Sequence, residues 1–188
     1  MVLAPHAERV HRPPARPVAA RLDGVRGAAI GFIDNGFPST AALHDQLRSR
    51  LAPEALRPVI EPKRYWKPLT AEQLAMVAGS VVAVIGGVST TPPSTAFAVQ
   101  DAVAFELAGI PTVSLVTAPY EDLFAESAAI EGMPELRRIV LPYPLVEEAA
   151  IRDLADRCVP AVLAALTDAG TQAVARVAAN GADVGDRT

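Results

Sequence analysis

The stretch GGVSTTPPSTAFAVQDAVAFELAGIPTVSLVT, residues 86–117, combines a strand end, a polar loop, a helix and a second strand. Directly before it, residues 81–85 form a β-branched apolar run, long enough for one buried strand and too short for a core helix. The two glycines that open the stretch are expected to end that strand. A turn-rich segment follows, and a helix is expected to begin at Ser94 or Thr95, because either side chain can cap free backbone N–H groups.

Strands and helices alternate along the rest of the chain. The predicted strands cover residues 27–33, 56–60, 81–85, 111–117 and 138–141, and the predicted helices cover residues 39–50, 71–78, 94–108, 120–130 and 147–166. This alternation calls for a parallel sheet with right-handed crossovers, and the strands lack polar alternation, as buried parallel strands do. We predict a flavodoxin-like three-layer α/β/α domain with a mostly parallel sheet of about five strands.

The chain length and the distribution of proline divide the sequence into three parts. A length of 188 residues suits one domain, which we place at residues 27–169. Residues 1–26 are rich in Pro and Arg, with HRPPARP at residues 11–17, and are expected to be a flexible arm because proline removes backbone donors. Residues 170–188 are expected to be a C-terminal tail.

The charge and hydropathy of the chain disfavour several classes of partner. Acidic residues exceed basic ones, 21 to 17, so the chain has no basic footprint for nucleic acid. No apolar run is long enough to span a bilayer, and the N-terminus lacks the apolar segment of a signal peptide. We therefore expect a cytoplasmic protein that binds neither nucleic acid nor membrane.

Cysteine and histidine are scarce. Cys158 is the only cysteine, which excludes an intramolecular disulfide and a cysteine-based metal site. Its apolar neighbours predict a small buried side chain in the closing helix. His6 and His11 lie in the arm and His44 in the first helix, so no histidine pair has metal-ligand spacing. We expect neither a metal nor a cofactor.

Two segments carry a family resemblance. The run from the glycines through the loop to DAVAFELAGIPTV, residues 101–113, resembles the UGSC family, which is related to the selenoprotein B subunits of glycine and proline reductases. The segment GFIDNGFPSTAALHDQL, residues 31–47, is similar to the opening strand and loop of that family. The resemblance extends over residues 27–166 and implies an α/β fold.

The resemblance also identifies positions of interest in the loop and the helix after it. In the family, the loop bears selenocysteine or cysteine, then glycine, serine and cysteine. Counted back from Asp101, these two reactive positions are Thr91 and Ser94 in this chain, and Asp101 and Glu106 match acidic positions of the family helix. Phe37 stands where the family often has lysine. A hydroxyl has a far higher pKa than a thiol, so thiol-reductase chemistry is not expected.

Parallel strands bring the loops after the first, third and fourth strands to one edge of the sheet, where such folds bind ligands. A site is therefore predicted there. Its predicted catalytic residues are Asp34, Thr91, Ser94 and Tyr120, and its predicted ligand-binding residues are Asn35, Ser89, Thr90, Thr95, Asp101 and Glu106. Because a helix start is a ready anion site, we expect a small anionic or carbonyl-bearing metabolite at the helix after the loop.

Structural roles compete with these functional ones. Asp34 and Asn35 also suit a tight turn, and Ser94 also suits a helix cap. Glu106 could instead bond the backbone of the following turn. A serine or threonine nucleophile needs a base, and His44 is expected to lie too far along its helix to reach the site.

Two classes of function fit this pattern. The first is an enzyme or enzyme subunit that acts on a small polar metabolite by acid–base chemistry, such as hydration, elimination or isomerisation, as lyases and hydratases do. The second is a non-catalytic binding or scaffold subunit that pairs with a cysteine-containing paralogue. The concentration of polar residues at the strand ends favours the first class. A homodimer or a paralogous heterodimer is expected from the apolar composition.

Overall fold

The structure, a computed structural model, describes residues 13–51, 57–62, 67–145, 148–168 and 172–178. Its strands are β1 (Ala29–Asp34), β2 (Arg57–Pro62), β3 (Ala83–Ser89), β4 (Thr112–Thr117), β5 (Arg138–Leu141) and β6 (Val174–Arg176). Its helices are α1 (Pro38–Leu51), α2 (Ala71–Ala78), α3 (Pro92–Leu107), α4 (Glu121–Ile130) and α5 (Glu148–Thr167). No helix in these ranges is long and apolar enough to cross a membrane.

The strands form one sheet in the order β2-β1-β3-β4-β5-β6, and every neighbouring pair is parallel. The first five strands in this order follow the flavodoxin-like arrangement, which confirms the predicted fold. The sixth strand was not predicted. It has three residues, too few for a recognisable pattern, and lies in the segment expected to be a tail.

Helices cover both faces of the sheet. Helices α1 and α5 pack on one face, where Leu43 and Leu47 meet Leu154 and neighbouring residues of α5. Helices α2, α3 and α4 cover the opposite face. Alternate residues of a strand point to opposite faces, so Ile85 joins the first cluster and Val84 the core beneath α2 and α3.

The two glycines of the opening stretch lie inside β3 and do not end it. Ile85 pairs with Val113 and Val88 with Leu115, so Gly86 and Gly87 together stand opposite one residue of β4. This two-against-one arrangement is a β-bulge, which bends the strand and frees backbone groups from the ladder. The bulge lets β3 continue to Ser89, nearer to the predicted site than expected.

Residues 13–28, here called the N-terminal strap, lie across the amino edge of the sheet. The backbone N–H of Arg16 donates to Gly132 O at 2.7 Å, and that of Leu22 donates to Leu166 O at 2.9 Å. We expected residues 1–26 to be a flexible arm, but residues 13–26 are hydrogen-bonded to the domain. Residues 1–12 lie outside the described ranges. The segments 169–171 and 179–188 of the expected tail also lie outside them.

Replacement of Gly87 by alanine is expected to lower the free energy of unfolding by about 1–3 kcal/mol. A Cβ at this position would lie 2.9 Å from Asn35 Cγ and 3.0 Å from Ile33 O, closer than packed atoms allow. Gly86→Ala is the matched control, because its Cβ would meet nothing nearer than 3.6 Å. Urea denaturation of both variants gives the comparison, and equal losses would contradict the packing described for Gly87.

Candidate functional site

Side chains from three neighbouring elements bind the backbone carbonyls at the end of β3. His44 Nε2, on α1, lies 3.1 Å from Gly86 O. Asn35 Nδ2, just after β1, donates to Val88 O at 2.8 Å, and Thr117 Oγ1, at the end of β4, donates to Ser89 O at 2.8 Å. These bonds fix the carboxyl edge of the sheet at the predicted site.

Thr91 and Ser94, the two positions singled out by resemblance, form a capping box at the start of α3. The Thr91 side chain accepts from Ser94 N, and Ser94 Oγ accepts from Thr91 N at 3.1 Å. The two hydroxyl oxygens lie 3.0 Å apart. Helix α3 therefore begins at Pro92, after the cap Thr91, instead of at Ser94 or Thr95, and both hydroxyls are engaged in holding its first turn.

The expected anion site at the start of this helix is not formed. Pro92 and Pro93 have no N–H. The N–H of Ser94 donates to Thr91 Oγ1, and that of Thr95 donates to Thr91 O at 3.0 Å. The first turn of α3 therefore has no free backbone donor to offer to a negative charge.

A small cavity beneath the bulge brings three predicted residues together. Asn35, Ser94 and Asp101 line it with Gly86 and Gly87, and its volume of about 10 Å³ is close to the minimum for one water molecule. Asn35 is 2% exposed, and its Oδ1 has no hydrogen-bond partner in the described structure. The cavity thus suits an internal water and is too small for a metabolite.

Asp101 and Glu106 each bind backbone groups. Asp101 Oδ1 accepts from Leu69 N at 2.8 Å. Glu106 accepts from Thr112 N at 2.7 Å, as anticipated for the turn that follows it, and also from Ala19 N of the strap at 2.5 Å. Glu106 thus lies at the amino edge of the sheet, away from the other predicted residues.

The remaining predicted residues differ in burial and in whether their hydroxyls have hydrogen-bond partners. Thr95 is fully buried and donates to Thr91 O at 2.8 Å, whereas the hydroxyls of Ser89 and Thr90 are buried without a partner in the described structure. Tyr120 is half-buried against the apolar core beneath α3 and α4.

His44 reaches the site, contrary to the expectation from its position in α1. Its ring is 4% exposed and packs edge-on against Phe32, with 5.4 Å between ring centroids. Because a carbonyl only accepts, the bond to Gly86 O requires the proton on Nε2 and leaves Nδ1 as an acceptor. Nδ1 is buried and has no partner in the described ranges.

Burial lowers the pKa of His44 to about 4, so the imidazole is neutral at physiological pH. His44 lines a cavity of about 70 Å³ together with Asp34, Ala41, Asp45 and Arg48. Asp34 Oδ1 accepts from Gly36 N at 2.9 Å, the turn bond that its position suggested. Within the described residues, no group of three or more His, Cys, Asp or Glu side chains could hold a metal ion.

The UGSC family model matches residues 1–168, most of the chain. The chain belongs to the UGSC family. No curated protein matches the sequence. In this UGSC chain, the hydroxyls of Thr91 and Ser94 before and in α3 bond to each other, and the imidazole of His44 on α1 bonds to Gly86 O in β3.

The single thiol of this UGSC protein lies in α5 and not in the loop between β3 and α3. Cys158 is fully buried in α5, within the core that α5 forms with α1, as predicted. Burial raises the pKa of its thiol to about 12, so thiolate is scarce at neutral pH.

Cys158 is accordingly expected to resist thiol reagents in the folded protein. Treatment with a chromogenic disulfide reagent at mildly alkaline pH should label none of the native chain within minutes and one thiol per chain in urea. Stoichiometric labelling of the native protein at the unfolded rate would contradict this placement of the thiol.

The sequence analysis did not predict the bulge in β3 or the approach of His44 to the site, although the bulge has a recognisable sequence signal. A glycine pair within an apolar run is typical of a bulge, and that signal was available at Gly86 and Gly87. His44 follows Leu43 and precedes Leu47, two buried residues, so it lies on the inward side of α1. Its partner, Gly86 O, could not be predicted because the bulge that frees this carbonyl depends on the register of β4.

Proposed function

We propose that this UGSC protein is an enzyme, or a subunit of one, that acts on a small polar metabolite by acid–base chemistry and without a redox thiol. Asp34 and His44 are the proposed acid–base residues, at the carboxyl edge of the sheet. Hydration, elimination and isomerisation are the reaction types that such groups catalyse. Ser89 and Thr90 are proposed to contribute hydroxyls near the same edge.

One observation carries this proposal: a neutral imidazole and a carboxylate line the same cavity. His44 Nδ1 has a free lone pair, and the ring is held in one tautomer by Gly86 O. Asp34 is one of the two carboxylates that line the same cavity. Thr91 and Ser94 bond to each other in the capping box, which supports a structural role for both hydroxyls. We therefore assign the proposed acid–base roles to Asp34 and His44 instead.

The test is a turnover screen of the full chain with mixtures of small polar metabolites, followed by NMR. For any substrate found, Asp34→Asn and His44→Gln are each expected to lower kcat/KM by about a hundredfold or more. Cys158→Ala is expected to leave kcat/KM within about twofold of the parent. Loss of turnover in Cys158→Ala, or full activity in both other variants with the fold intact, would overturn the proposal.

A second candidate is the binding or scaffold subunit that pairs with another chain. It is supported by three exposed apolar side chains, Met76, Val82 and Leu107, which are 54%, 46% and 55% exposed. Met76 lies near the end of α2, Val82 directly before β3 and Leu107 at the end of α3. All three lie at the amino edge of the sheet, opposite the carboxyl edge. Such residues suit an interface with a second copy or a paralogue.

Sedimentation of the full chain at micromolar concentration separates the two oligomeric possibilities. A homodimer that Leu107→Glu converts to monomer supports pairing through this edge. A monomer that remains monomeric when mixed with a cysteine-containing paralogue would contradict the scaffold candidate and leave the enzyme proposal as it stands.

A further inference from the structure

The C-terminal strand β6 covers the outer edge of β5. Every residue of β5 is buried, whereas β6 has two half-buried residues and one exposed residue, Arg176. An exposed charge on an edge strand is a common protection against pairing with another chain. Without β6, the sheet would end at the apolar strand β5, in which Ile139, Val140 and Leu141 follow one arginine.

Backbone hydrogen bonds at both ends of β6 attach it to β5. The N–H of Arg138 donates to Ala173 O at 2.8 Å, and the N–H of Val177 donates to Val140 O at 2.9 Å. These bonds show which groups the outer edge of β5 presents. In a strand the N–H and C=O of one residue point to the same side, so Arg138 and Val140 both direct their backbone groups toward β6.

The side chains of this segment add limited support. Arg176 Nη2 donates to Glu121 Oε1 at 2.8 Å, but the Arg176 side chain is 66% exposed, and exposed ion pairs stabilise little. Ala175 and Val177 are only partly buried at the margin of the core formed by α1 and α5. β6 is therefore a lightly held strand over a fully buried one.

The outer edge of β5 is complementary to a second copy of itself. When two such edges run antiparallel with Ile139 of each copy at the centre, Arg138 of one copy stands opposite Val140 of the other. Each of these two pairs can exchange both of its backbone hydrogen bonds. The two arginines do not face each other in this register, so no like charges oppose the pairing.

We infer that the outer edge of β5 is a self-association surface covered by β6, and that release of β6 lets two copies of this chain pair through β5. Exposed sheet edges bind added strands through main-chain hydrogen bonds, which is the interaction expected here. The UGSC family model matches residues 1–168, so β6 lies beyond the matched part. This surface differs from the apolar residues at the amino edge and does not depend on the proposed function.

The experiment compares the full chain with and without the combined substitutions Arg176→Glu and Val177→Pro. The first places a negative charge beside Glu121, and the second removes the N–H that binds Val140 O. All proteins carry Leu107→Glu, so that association through the amino edge does not contribute. Sedimentation is expected to show a monomer without the two substitutions and a dimer with them, with a dissociation constant at least about tenfold lower.

Arg152→Glu combined with Ala178→Pro, also in the Leu107→Glu background, is the matched control. It makes the same changes of charge and backbone at two exposed positions. The N–H of Ala178 has no hydrogen-bond partner within the described structure. This control is expected to remain a monomer.

Hydrogen exchange of the Arg138 amide locates the association. Exchange in the Arg176→Glu/Val177→Pro variant is expected to be fast at low protein concentration, because β6 is released, and slow again at high concentration, because the edges pair. A variant that releases β6 but stays monomeric would overturn the inference. So would a dimer whose Arg138 amide remains unprotected, or an amide still protected in the dilute variant, since β6 would then not be a releasable cover.

Discussion

Replacement of Glu106 by glutamine is expected to lower the free energy of unfolding by about 3–5 kcal/mol, because it breaks a fully buried charged network. The carboxylate accepts from Thr112 N at 2.7 Å, from Thr112 Oγ1 at 2.8 Å and from Ala19 N at 2.5 Å. Arg21 Nη1 lies 3.5 Å from it, with side-chain exposures of 3% for Arg21 and 0% for Glu106. In glutamine an NH₂ donor replaces one of the two acceptor oxygens, so it would face another donor. The substitution would also leave Arg21 without its counter-charge.

Urea denaturation measures this loss, and Glu126→Gln provides the control. Glu126 is exposed on α4, so its replacement is expected to change the free energy of unfolding by less than about 0.5 kcal/mol. A loss below about 1 kcal/mol in Glu106→Gln would show that the strap and the α3–β4 turn do not depend on this carboxylate. That outcome would reopen a ligand-binding role for Glu106.

Acidification should destabilise the protein through His44. Its pKa is lowered from 6.5 to about 4 in the folded chain, first by burial, while the bond to Gly86 O and the charge of Asp34 oppose the shift. Between these two pH values the unfolded chain binds a proton that the folded chain does not. The stabilisation is therefore complete above the unfolded pKa and is lost as the pH falls toward about 4, by about 3 kcal/mol in total.

His44→Gln isolates this contribution from those of the carboxylates that titrate in the same range. Glutamine cannot titrate and can still donate to Gly86 O, so the difference in unfolding free energy between parent and variant is expected to shrink as the pH falls. Parallel pH profiles for the two proteins would mean that the imidazole of the parent is as free to take up a proton when folded as when unfolded.

The sequence predicted the order of strands and helices because each element has a local pattern. Buried β-branched runs and helical spacing are independent of distant contacts, and the helices predicted near Leu43, Val77 and Val99 are present. Local sequence patterns did not predict the bulge in β3 or the three-residue strand β6. Each depends on pairing with a strand elsewhere in the chain, β4 for the bulge and β5 for β6.

The placement of several candidate residues at the carboxyl edge was predictable from the sequence, but their hydrogen-bond partners were not. Asp34, Asn35 and Ser94 do lie at the carboxyl edge, because parallel strands impose that placement. Whether a hydroxyl is free or engaged depends on partners a few ångströms away, and Thr91 and Ser94 satisfy each other. The approach of His44 from α1 is a tertiary contact across 42 residues of sequence, which local patterns do not encode.

The imidazole of His44, in the cavity that Asp34 also lines, is expected to be neutral with no proton on Nδ1. Two-bond ¹H–¹⁵N spectra of the imidazole nitrogens in the full chain, assigned by loss of the signals in His44→Gln, test it directly. At neutral pH and down to about pH 5.5, the spectra are predicted to show the proton on Nε2 and none on Nδ1. A proton on Nδ1, or an imidazolium with an ordinary pKa near 6.5, would contradict the account.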